Sequence, residues 1–220
     1  MTFLARTILA AFAAAAVFAP RSSDGQDGLS SGGLVAGRIG CGACHDPGGS
    51  QNSPSIPYID GQKRSYLTQE LRSFSRGETA PSDPSRFAER AHPVMEPLAR
   101  TLTDRDIEAV AAYYAGRPCV PQRAAERFAG SIPAKTKHCA NCHGDTGVTL
   151  YVFIPNLGGQ KKDYLIDQLL EFRATGGGPD TTAADSRFHR MMASPVADLT
   201  DSDIVEIAEY YSRQSCRAEE

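Results

Sequence analysis

Two copies of a Cys-x-x-Cys-His motif are the residues in this chain with the clearest chemistry. They are Cys41-Gly42-Ala43-Cys44-His45 and Cys139-Ala140-Asn141-Cys142-His143. Two thiols at this spacing can reach both vinyl groups of a haem, while the imidazole that follows faces the iron. We therefore predict that two haem c groups are attached covalently and that the iron ligands include His45 and His143. The predicted attachment residues are Cys41, Cys44, Cys139 and Cys142.

Three other kinds of site also use closely spaced cysteines: a zinc site, a thioredoxin-like redox pair and a structural disulfide. Zinc would need two further ligands at each site, and each half of the chain offers one more histidine and one more cysteine as candidates. A thioredoxin-like pair is expected within a βαβ pattern, which this sequence does not have. Haem attachment is the favoured interpretation.

The two motifs lie at equivalent points of an internal duplication. Shifting the sequence by about 98 positions superposes both motifs and many other residues, which is the signature of a repeat. We predict two homologous domains, residues 22–118 and 119–220, joined around residues 118–121. The matched pairs include Ile56-Pro57 with Ile154-Pro155, Gly61-Gln62 with Gly159-Gln160, Tyr66-Leu67 with Tyr164-Leu165, Phe74 with Phe172 and Tyr113-Tyr114 with Tyr210-Tyr211.

A second axial ligand for each iron must come from elsewhere in the same copy. Met95 and Met192 are matched by the repeat, and a thioether ligand raises the potential of the iron. Methionine is more often core filler, but Met191, the alternative to Met192, has no partner in the first copy. His92 and His189 are also matched, and they are the alternative ligands, propionate partners or surface residues.

A ligating imidazole needs an acceptor for its other ring N–H. Pro57 and Pro155 each follow the motif histidine by the same interval, and a carbonyl near this point would serve as that acceptor. The alternative is that proline only stiffens the loop. His138 has no counterpart in the first copy and is predicted to lie on the surface.

The elements that position these residues are predicted to be helices. Apolar residues recur at spacings of three and four after Tyr66 and after Tyr164, which is typical of one helix face. The last helix of each copy is predicted to begin at a Thr-Asp pair suited to N-capping, at Thr103 and at Thr200. Its buried face is predicted to consist of Ile107, Val110, Ala111 and Tyr114 in one copy, and Ile204, Ile207, Ala208 and Tyr211 in the other.

The N-terminus predicts export. Arg6 precedes an apolar, alanine-rich run that ends at Ala19, so residues 1–19 are predicted to be a cleaved signal peptide rather than a membrane anchor. The expected mature protein is soluble, periplasmic and without stable membrane insertion. The whole chain has a formal charge of −3, so we do not expect it to bind nucleic acid.

With these residues in place, the sequence resembles the cytochrome c4 family. The resemblance covers nearly the whole predicted mature chain: both haem motifs, the Pro-x-x-x-Gly-Gln segments at 57–62 and 155–160, the Tyr-Leu helices, and Met95 and Met192. It implies an all-α fold of two tandem class I cytochrome c domains, with His/Met ligation at both irons and a proline carbonyl bonded to each proximal histidine. It also implies electron shuttling between a membrane quinol-oxidising complex and a terminal oxidase or another acceptor.

Two departures from the family pattern bear on the role. The matched Cys119 and Cys216 are not associated with the family, and neither are His92 and His189. The electron donor is therefore open, and a periplasmic dehydrogenase is an alternative. The predicted function is one-electron carriage without catalysis. The alternatives are the haem subunit of a dehydrogenase, a dihaem peroxidase, which would need an open iron position, and a haem-based sensor, for which no output domain is evident.

Cys119 and Cys216 remain after four cysteines are assigned to haem. Both follow the final helix of their copies, and an exported location favours oxidation. We predict that they form a disulfide between the ends of the two domains. Two buried free thiols, or a thiol that pairs between molecules, are the alternatives.

Overall fold

The computed structural model describes residues 24–46, 53–76, 88–119, 131–175 and 186–217. Within residues 24–30, 88–89 and 186, it describes the backbone and not the side chains. The predicted signal peptide, residues 1–19, lies outside the described residues.

Helices make up most of the described chain, with one pair of short strands. None of the described helices is long and apolar enough to cross a bilayer. The elements in chain order are α1 Asp24–Ile39, α2 Cys41–His45, α3 Arg64–Arg76, β1 Ala88–Ala91, α4 Met95–Ala99, α5 Asp104–Ala115, α6 Thr136–His143, α7 Lys162–Ala174, β2 Ser186–His189, α8 Arg190–Val196 and α9 Asp201–Ser212.

The duplication is visible in the order of these elements. Five elements from α2 to α5 are repeated as α6, α7, β2, α8 and α9. The all-helical prediction is confirmed in its main part, because each copy is built on helices around its own core. Helix α1, which precedes the first motif, was not predicted, and most of the equivalent stretch of the second copy, residues 120–130, lies outside the described residues.

The first turns of α5 and α9 are stabilised in the predicted way. Thr103 accepts a hydrogen bond from the backbone N–H of Asp106, and the Asp106 carboxylate accepts one from the backbone N–H of Thr103. Thr200 and Asp203 form the same reciprocal pair in α9. Each capping box satisfies two backbone donors that a helix start leaves without partners.

Each domain has its own hydrophobic core, and the predicted buried faces of α5 and α9 lie in them. In the first domain, α3 and α5 supply Leu67, Val110, Ala111 and Tyr114, with Ala36 from α1. In the second domain, the buried residues are Leu165, Phe172, Val196, Leu199, Ile204, Ile207, Ala208, Tyr210 and Tyr211. The eight residues predicted for these two faces are all buried.

In the first domain, α1 crosses α5 at close range. A Cβ atom at Gly32 would lie 2.1 Å from the carbonyl oxygen of Ala109, so only glycine fits at this crossing. Gly37, five residues further along α1, has nothing within 4 Å of the equivalent point.

The two strands join the domains. β1 pairs antiparallel with β2, and the register places Arg90 opposite Arg187 and Ala88 opposite His189. Because the two strands occupy equivalent places in the repeat, their pairing relates the domains by a local two-fold axis. No strand was predicted here, since four residues are too few to show an alternating pattern.

A disulfide also joins the two domains. Cys119 and Cys216 are bonded, with their Cα atoms 6.2 Å apart, which confirms the predicted bridge. Gly61 and Gly159 lie beside it with φ angles of 69° and 70°. A Cβ at Gly61 would lie 2.8 Å from the Cβ of Cys119, so the conformation and the space both require glycine.

Candidate haem sites

The motif cysteines lie on short helices that bring each thiol pair to one face. Cys41 and Cys44 are one turn apart in α2, and Cys139 and Cys142 are one turn apart in α6. None of these four cysteines takes part in the disulfide of the structure. Cys41 and Cys139 pack against the cores of their domains, and this burial raises the pKa of both thiols.

The motif histidines are held from behind by proline carbonyls, as predicted. The Nδ1 atom of His45 lies 3.0 Å from the carbonyl oxygen of Pro57, and that of His143 lies 3.3 Å from the carbonyl oxygen of Pro155. A carbonyl can only accept, so Nδ1 carries the proton and donates. The Nε2 lone pair of each ring is then available to an iron.

Burial keeps both imidazoles in the neutral form that binds metal. It lowers the pKa of His143 to about 4, and the hydrogen bond to Pro155 opposes that shift without cancelling it. Burial also lowers the pKa of His45, against the same opposing bond to Pro57. These histidines therefore fit the role of iron ligands.

The candidate methionines occupy equivalent places at the starts of α4 and α8. Met95 is the first residue of α4 and is half-buried. Met192 packs against the core of the second domain, whereas the side chain of Met191 is 59% exposed. This contrast favours Met192 over Met191, and ligation by Met95 and Met192 stays a prediction.

His92 and His189 have packing and capping contacts that the sequence did not reveal. The Nδ1 atom of His92 accepts hydrogen bonds from the backbone N–H groups of Val94 and Met95, at 3.1 and 3.2 Å, and so caps α4. Its ring meets Phe74 edge-on at 6.1 Å, and His189 meets Phe172 edge-on at 6.4 Å. His138, predicted to be a surface residue, is exposed.

Two matched glutamines bind, in the opposite domain, the residue that follows the proline. The amide of Gln62 donates to the carbonyl of Asn156 and accepts from its N–H, both at 2.9 Å. The amide of Gln160 forms the equivalent pair with Tyr58, at 2.8 and 2.9 Å. The glutamine of the matched Gly-Gln motif therefore holds the two domains together by hydrogen bonds. The sequence does not reveal this role, because the partners lie about 100 residues away.

Two matched lysines reach across the same interface. Lys63 donates through Nζ to the carbonyls of Thr149 and Tyr151 in the second domain. Lys161 donates to the carbonyl of Ser53 in the first domain at 2.9 Å, and its ammonium lies 4.6 Å from the ring centroid of Tyr58. Each lysine thus fixes the loop between motif and proline in the other domain.

The described residues give no support for a zinc site. Among the residues that the structure describes, no three or more His, Cys, Asp or Glu side chains are grouped as a metal site would require. Each site instead offers two thiols and one oriented imidazole, the set that covalent haem attachment uses.

Comparison with known proteins decides the family. The cytochrome c family model matches this chain twice, at residues 34–115 and 130–213. Cytochrome c4 of Stutzerimonas stutzeri is 30% identical over 182 residues, which are 77% of this chain and 82% of that protein. The chain belongs to the cytochrome c4 family. As a family member it carries two covalently bound haem c groups, one for each domain.

Two further similarities bear on fold and role. The crystal structure of reduced recombinant cytochrome c4 from Pseudomonas stutzeri has a TM-score of 0.60 and 26% identity, covering 84% of this chain and 97% of that one. A thiosulfate dehydrogenase electron acceptor from Stutzerimonas stutzeri is 24% identical over 205 residues, 87% of each chain. The predicted fold of two tandem cytochrome c domains is confirmed, and so is a role in electron transport.

In this cytochrome c4, the polypeptide has three tasks around each haem. Haem c, when bound, supplies an iron that alternates between two oxidation states. The thiols would fix the group at two points, and the carbonyl of Pro57 or Pro155 orients the imidazole. The lysine of the other domain holds the loop between motif and proline, and its glutamine binds the residue that follows the proline. The two sites are alike in all three respects.

Proposed function

We propose that this protein is a periplasmic one-electron carrier with His45 and Met95 as axial ligands of one iron and His143 and Met192 as those of the other. The observation that carries the proposal is the equivalence of the two sites. Each has an imidazole oriented by a proline carbonyl and a methionine matched by the repeat. With both axial positions filled, an electron enters and leaves without any substrate binding to iron.

An enzyme would require one site to differ from the other. A peroxidase needs an open or displaceable iron position with an acid or base nearby. The test is carbon monoxide binding to the ferrous holoprotein, followed by its absorption spectrum. We expect no binding at either iron in the native protein, and stoichiometric binding at one site would contradict the carrier function.

The donor is proposed to be a membrane quinol-oxidising complex or a periplasmic dehydrogenase, and the acceptor a terminal oxidase or another redox protein. The relative described as a thiosulfate dehydrogenase electron acceptor supports a sulfur-compound dehydrogenase as one such donor. Stopped-flow reduction of the oxidised protein by a thiosulfate dehydrogenase and by a quinol-oxidising complex would rank the two. If neither enzyme reduces the protein as fast as it turns over its own substrate, both are excluded as donors.

A loop of the second domain is proposed as the docking surface for the redox partner. Leu150, Tyr151, Val152 and Phe153 are all exposed, with Leu150 at 97% and Phe153 at 58%. They lie between His143 and the proline that orients it, whereas the same place in the first copy carries the polar sequence Asn52-Ser53-Pro54-Ser55. An apolar surface beside a haem suits docking with a redox protein, and this one is confined to one domain.

Serine variants test this surface. Replacing Leu150 and Phe153 together by Ser should slow the second-order electron transfer with the partner severalfold and leave both potentials unchanged. Val205→Ser, at an exposed apolar residue of α9, is the matched control and should leave the rate unchanged. Equal rates for the double variant and the control would exclude the loop as the docking surface.

Export is the remaining part of the proposal. Arg6 and the apolar run to Ala19 support cleavage and a periplasmic location. Mass spectrometry of the protein from its native host should give a mature chain that begins shortly after Ala19. A retained N-terminus in the membrane fraction would show an anchor instead.

A further inference from the structure

A lysine of the first domain binds the backbone of the exposed apolar loop in the second domain. Lys63 directly precedes α3 and is half-buried. Its ammonium donates to the carbonyl of Tyr151 at 2.6 Å and also to the carbonyl of Thr149. One charged group thus binds the carbonyls on both sides of Leu150, and hydrogen bonds from a charged donor are stronger than those between neutral groups.

Packing contributes little to the conformation of the loop at this point. The four side chains from Leu150 to Phe153 are each more than half exposed. The backbone N–H of Tyr151 donates to the hydroxyl of Thr149 at 3.3 Å, and the N–H of Ile154 donates to the carbonyl of Tyr151 at 3.2 Å. A segment with few buried apolar contacts opens easily. The lysine ammonium, bound to two carbonyls from outside the loop, is therefore well placed to fix the backbone.

The equivalent lysine of the other copy holds a loop of different character. Lys161 donates to the carbonyl of Ser53 at 2.9 Å and lies over the ring of Tyr58. That loop has the polar sequence Asn52-Ser53-Pro54-Ser55. Both lysines reach across the domain interface in the same way, but only Lys63 binds the exposed apolar loop. The repeat thus supplies a matched lysine for comparison.

We propose that Lys63 is a positioning residue for the docking surface of the second domain, because it holds the backbone of residues 149–153 so that their apolar side chains meet the redox partner in one arrangement. A surface that is ordered before contact loses less conformational freedom on binding, so the complex is tighter. Lys63 acts through the two carbonyls and not through its charge on the partner. The inference rests on the proposed docking surface, and it adds that the first domain takes part in forming it.

Backbone hydrogen–deuterium exchange of the holoprotein tests the positioning without any partner. Lys63→Met removes the ammonium and nearly keeps the length of the side chain, so the N–H groups of residues 149–153 should exchange severalfold faster. Lys161→Met should speed exchange around Ser53 and leave residues 149–153 unchanged. Unchanged exchange at residues 149–153 in Lys63→Met would overturn the proposal. The same acceleration there in both variants would also overturn it, since the cause would be the domain interface as a whole.

Electron transfer tests the effect on docking. The donor is a thiosulfate dehydrogenase or a quinol-oxidising complex, whichever reduces the parent protein faster in stopped flow. Lys63→Met should lower the second-order rate constant severalfold and leave the first-order rate at saturating donor and both potentials unchanged. Lys63→Arg should restore most of the rate, because a guanidinium can also donate to two carbonyls. Arg64→Met is the control for charge: it removes the neighbouring, exposed positive charge and its ion pair with Glu108, and should leave the rate unchanged.

The variants separate this proposal from the docking surface on which it rests. Equal slowing in Lys63→Met and Arg64→Met would show that the lysine acts by its charge on the partner, which contradicts the proposal. An unchanged rate in Lys63→Met, with slower transfer in the double serine variant of Leu150 and Phe153, would overturn the positioning role and leave the docking surface in place. If the double serine variant is not slowed either, the docking surface is wrong and the positioning role falls with it.

Discussion

The carbonyl of Pro57 or Pro155 fixes which ring nitrogen of the motif histidine is left free to bind a metal. Because the carbonyl only accepts, Nδ1 must be protonated and Nε2 must carry the lone pair. Burial then disfavours the charged ring in both sites. Neutral charge and fixed orientation together prepare the imidazole for iron before any haem contact is considered.

At this scale, the methionine ligands are open to a direct test. Met95→Ala and Met192→Ala should each remove one sulfur-to-iron charge-transfer band and lower the potential of one haem, since a thioether ligand favours the reduced iron. Met191→Ala is the matched control, because its side chain points largely to solvent. Visible and near-infrared absorption of the ferric protein measures the bands.

The Met191→Ala variant also tests the alternative ligand of the second haem. If Met191→Ala removes the band of the second haem and Met192→Ala does not, the ligand assignment in that domain is wrong. If neither variant changes a band and magnetic resonance shows two nitrogen ligands at each iron, His92 and His189 are the ligands.

The candidate haem-attachment motifs were visible in the sequence because their thiols and imidazole lie within about one turn of helix. The repeat favours Met192 over Met191, and ligation by either methionine stays a prediction. Gln62 and Lys63 were not predictable in the same way, because their hydrogen-bond partners belong to the other domain. The repeat marks such residues as matched, but it does not say what they contact.

Among the elements, the crossing of α1 and α5 depends on a missing side chain. Gly32→Ala would place a methyl group 2.1 Å from the carbonyl oxygen of Ala109, so the helices must separate. We expect the free energy of unfolding to fall by about 1–3 kcal/mol, the usual range for overpacking. Chemical denaturation of the holoprotein measures it.

Gly37→Ala is the matched control in the same helix. The space around Gly37 is open, and alanine favours a helix over glycine by about 1 kcal/mol. Stability should stay the same or rise. A similar loss of stability in both variants would show that the loss does not come from the contact of α1 with α5.

The capping boxes give α5 and α9 a pH-dependent stability. Hydrogen bonds from Thr103 and Thr200 lower the pKa of Asp106 and Asp203 below the ordinary value. A carboxyl group with a lowered folded-state pKa stabilises the fold above its ordinary pKa, and this stabilisation is lost as the pH falls through the folded value. The loss begins near the ordinary aspartate pKa of about 4.

Asn variants measure this contribution. Asp106→Asn and Asp203→Asn together should lower stability at neutral pH and should differ less from the parent protein at pH about 3, where the parent carboxyls are protonating. Denaturation curves at a series of pH values give the comparison. A difference that is constant over the whole range would mean that the charge of the caps contributes nothing.

Elements with a strong local signal were predicted, and those that depend on distant partners were not. The Thr-Asp starts and the buried faces of α5 and α9 were visible in the sequence. Strands β1 and β2 are stabilised by each other across the domains, so neither has a pattern of its own. Helix α1 is rich in glycine, so its sequence does not predict a helix. It is stabilised by its tertiary contacts with α5.

For the molecule as a whole, the question is what keeps two domains at one separation. The strand pair lies at the local two-fold axis. The reciprocal glutamine bonds join each domain to the residue after the other domain's proline, and the two lysines hold the loops between motif and proline. The disulfide joins the ends of the domains beside Gly61 and Gly159. Noncovalent contacts therefore already define the arrangement, and the disulfide adds a restraint on the unfolded chain.

Removing the disulfide separates these two contributions. Cys119→Ser with Cys216→Ser opens a loop of 97 residues in the unfolded chain. The chain-entropy relation predicts a loss of about 4–5 kcal/mol in the free energy of unfolding. The two haem potentials should hardly change, because the strand pair and the lysines still fix the domains.

The measurements are denaturation of the holoprotein and potentiometric titration of both haems. A protein of unchanged stability, together with two reactive thiols in the unreduced parent, would show that the bridge does not form in solution. A large change in the potentials would show that the bridge, more than the noncovalent interface, holds the haems in place. From the interface contacts we expect the free energy of unfolding to fall by the predicted amount while both potentials stay unchanged. That result would show that the disulfide restrains the unfolded chain and does not set the native arrangement of the domains.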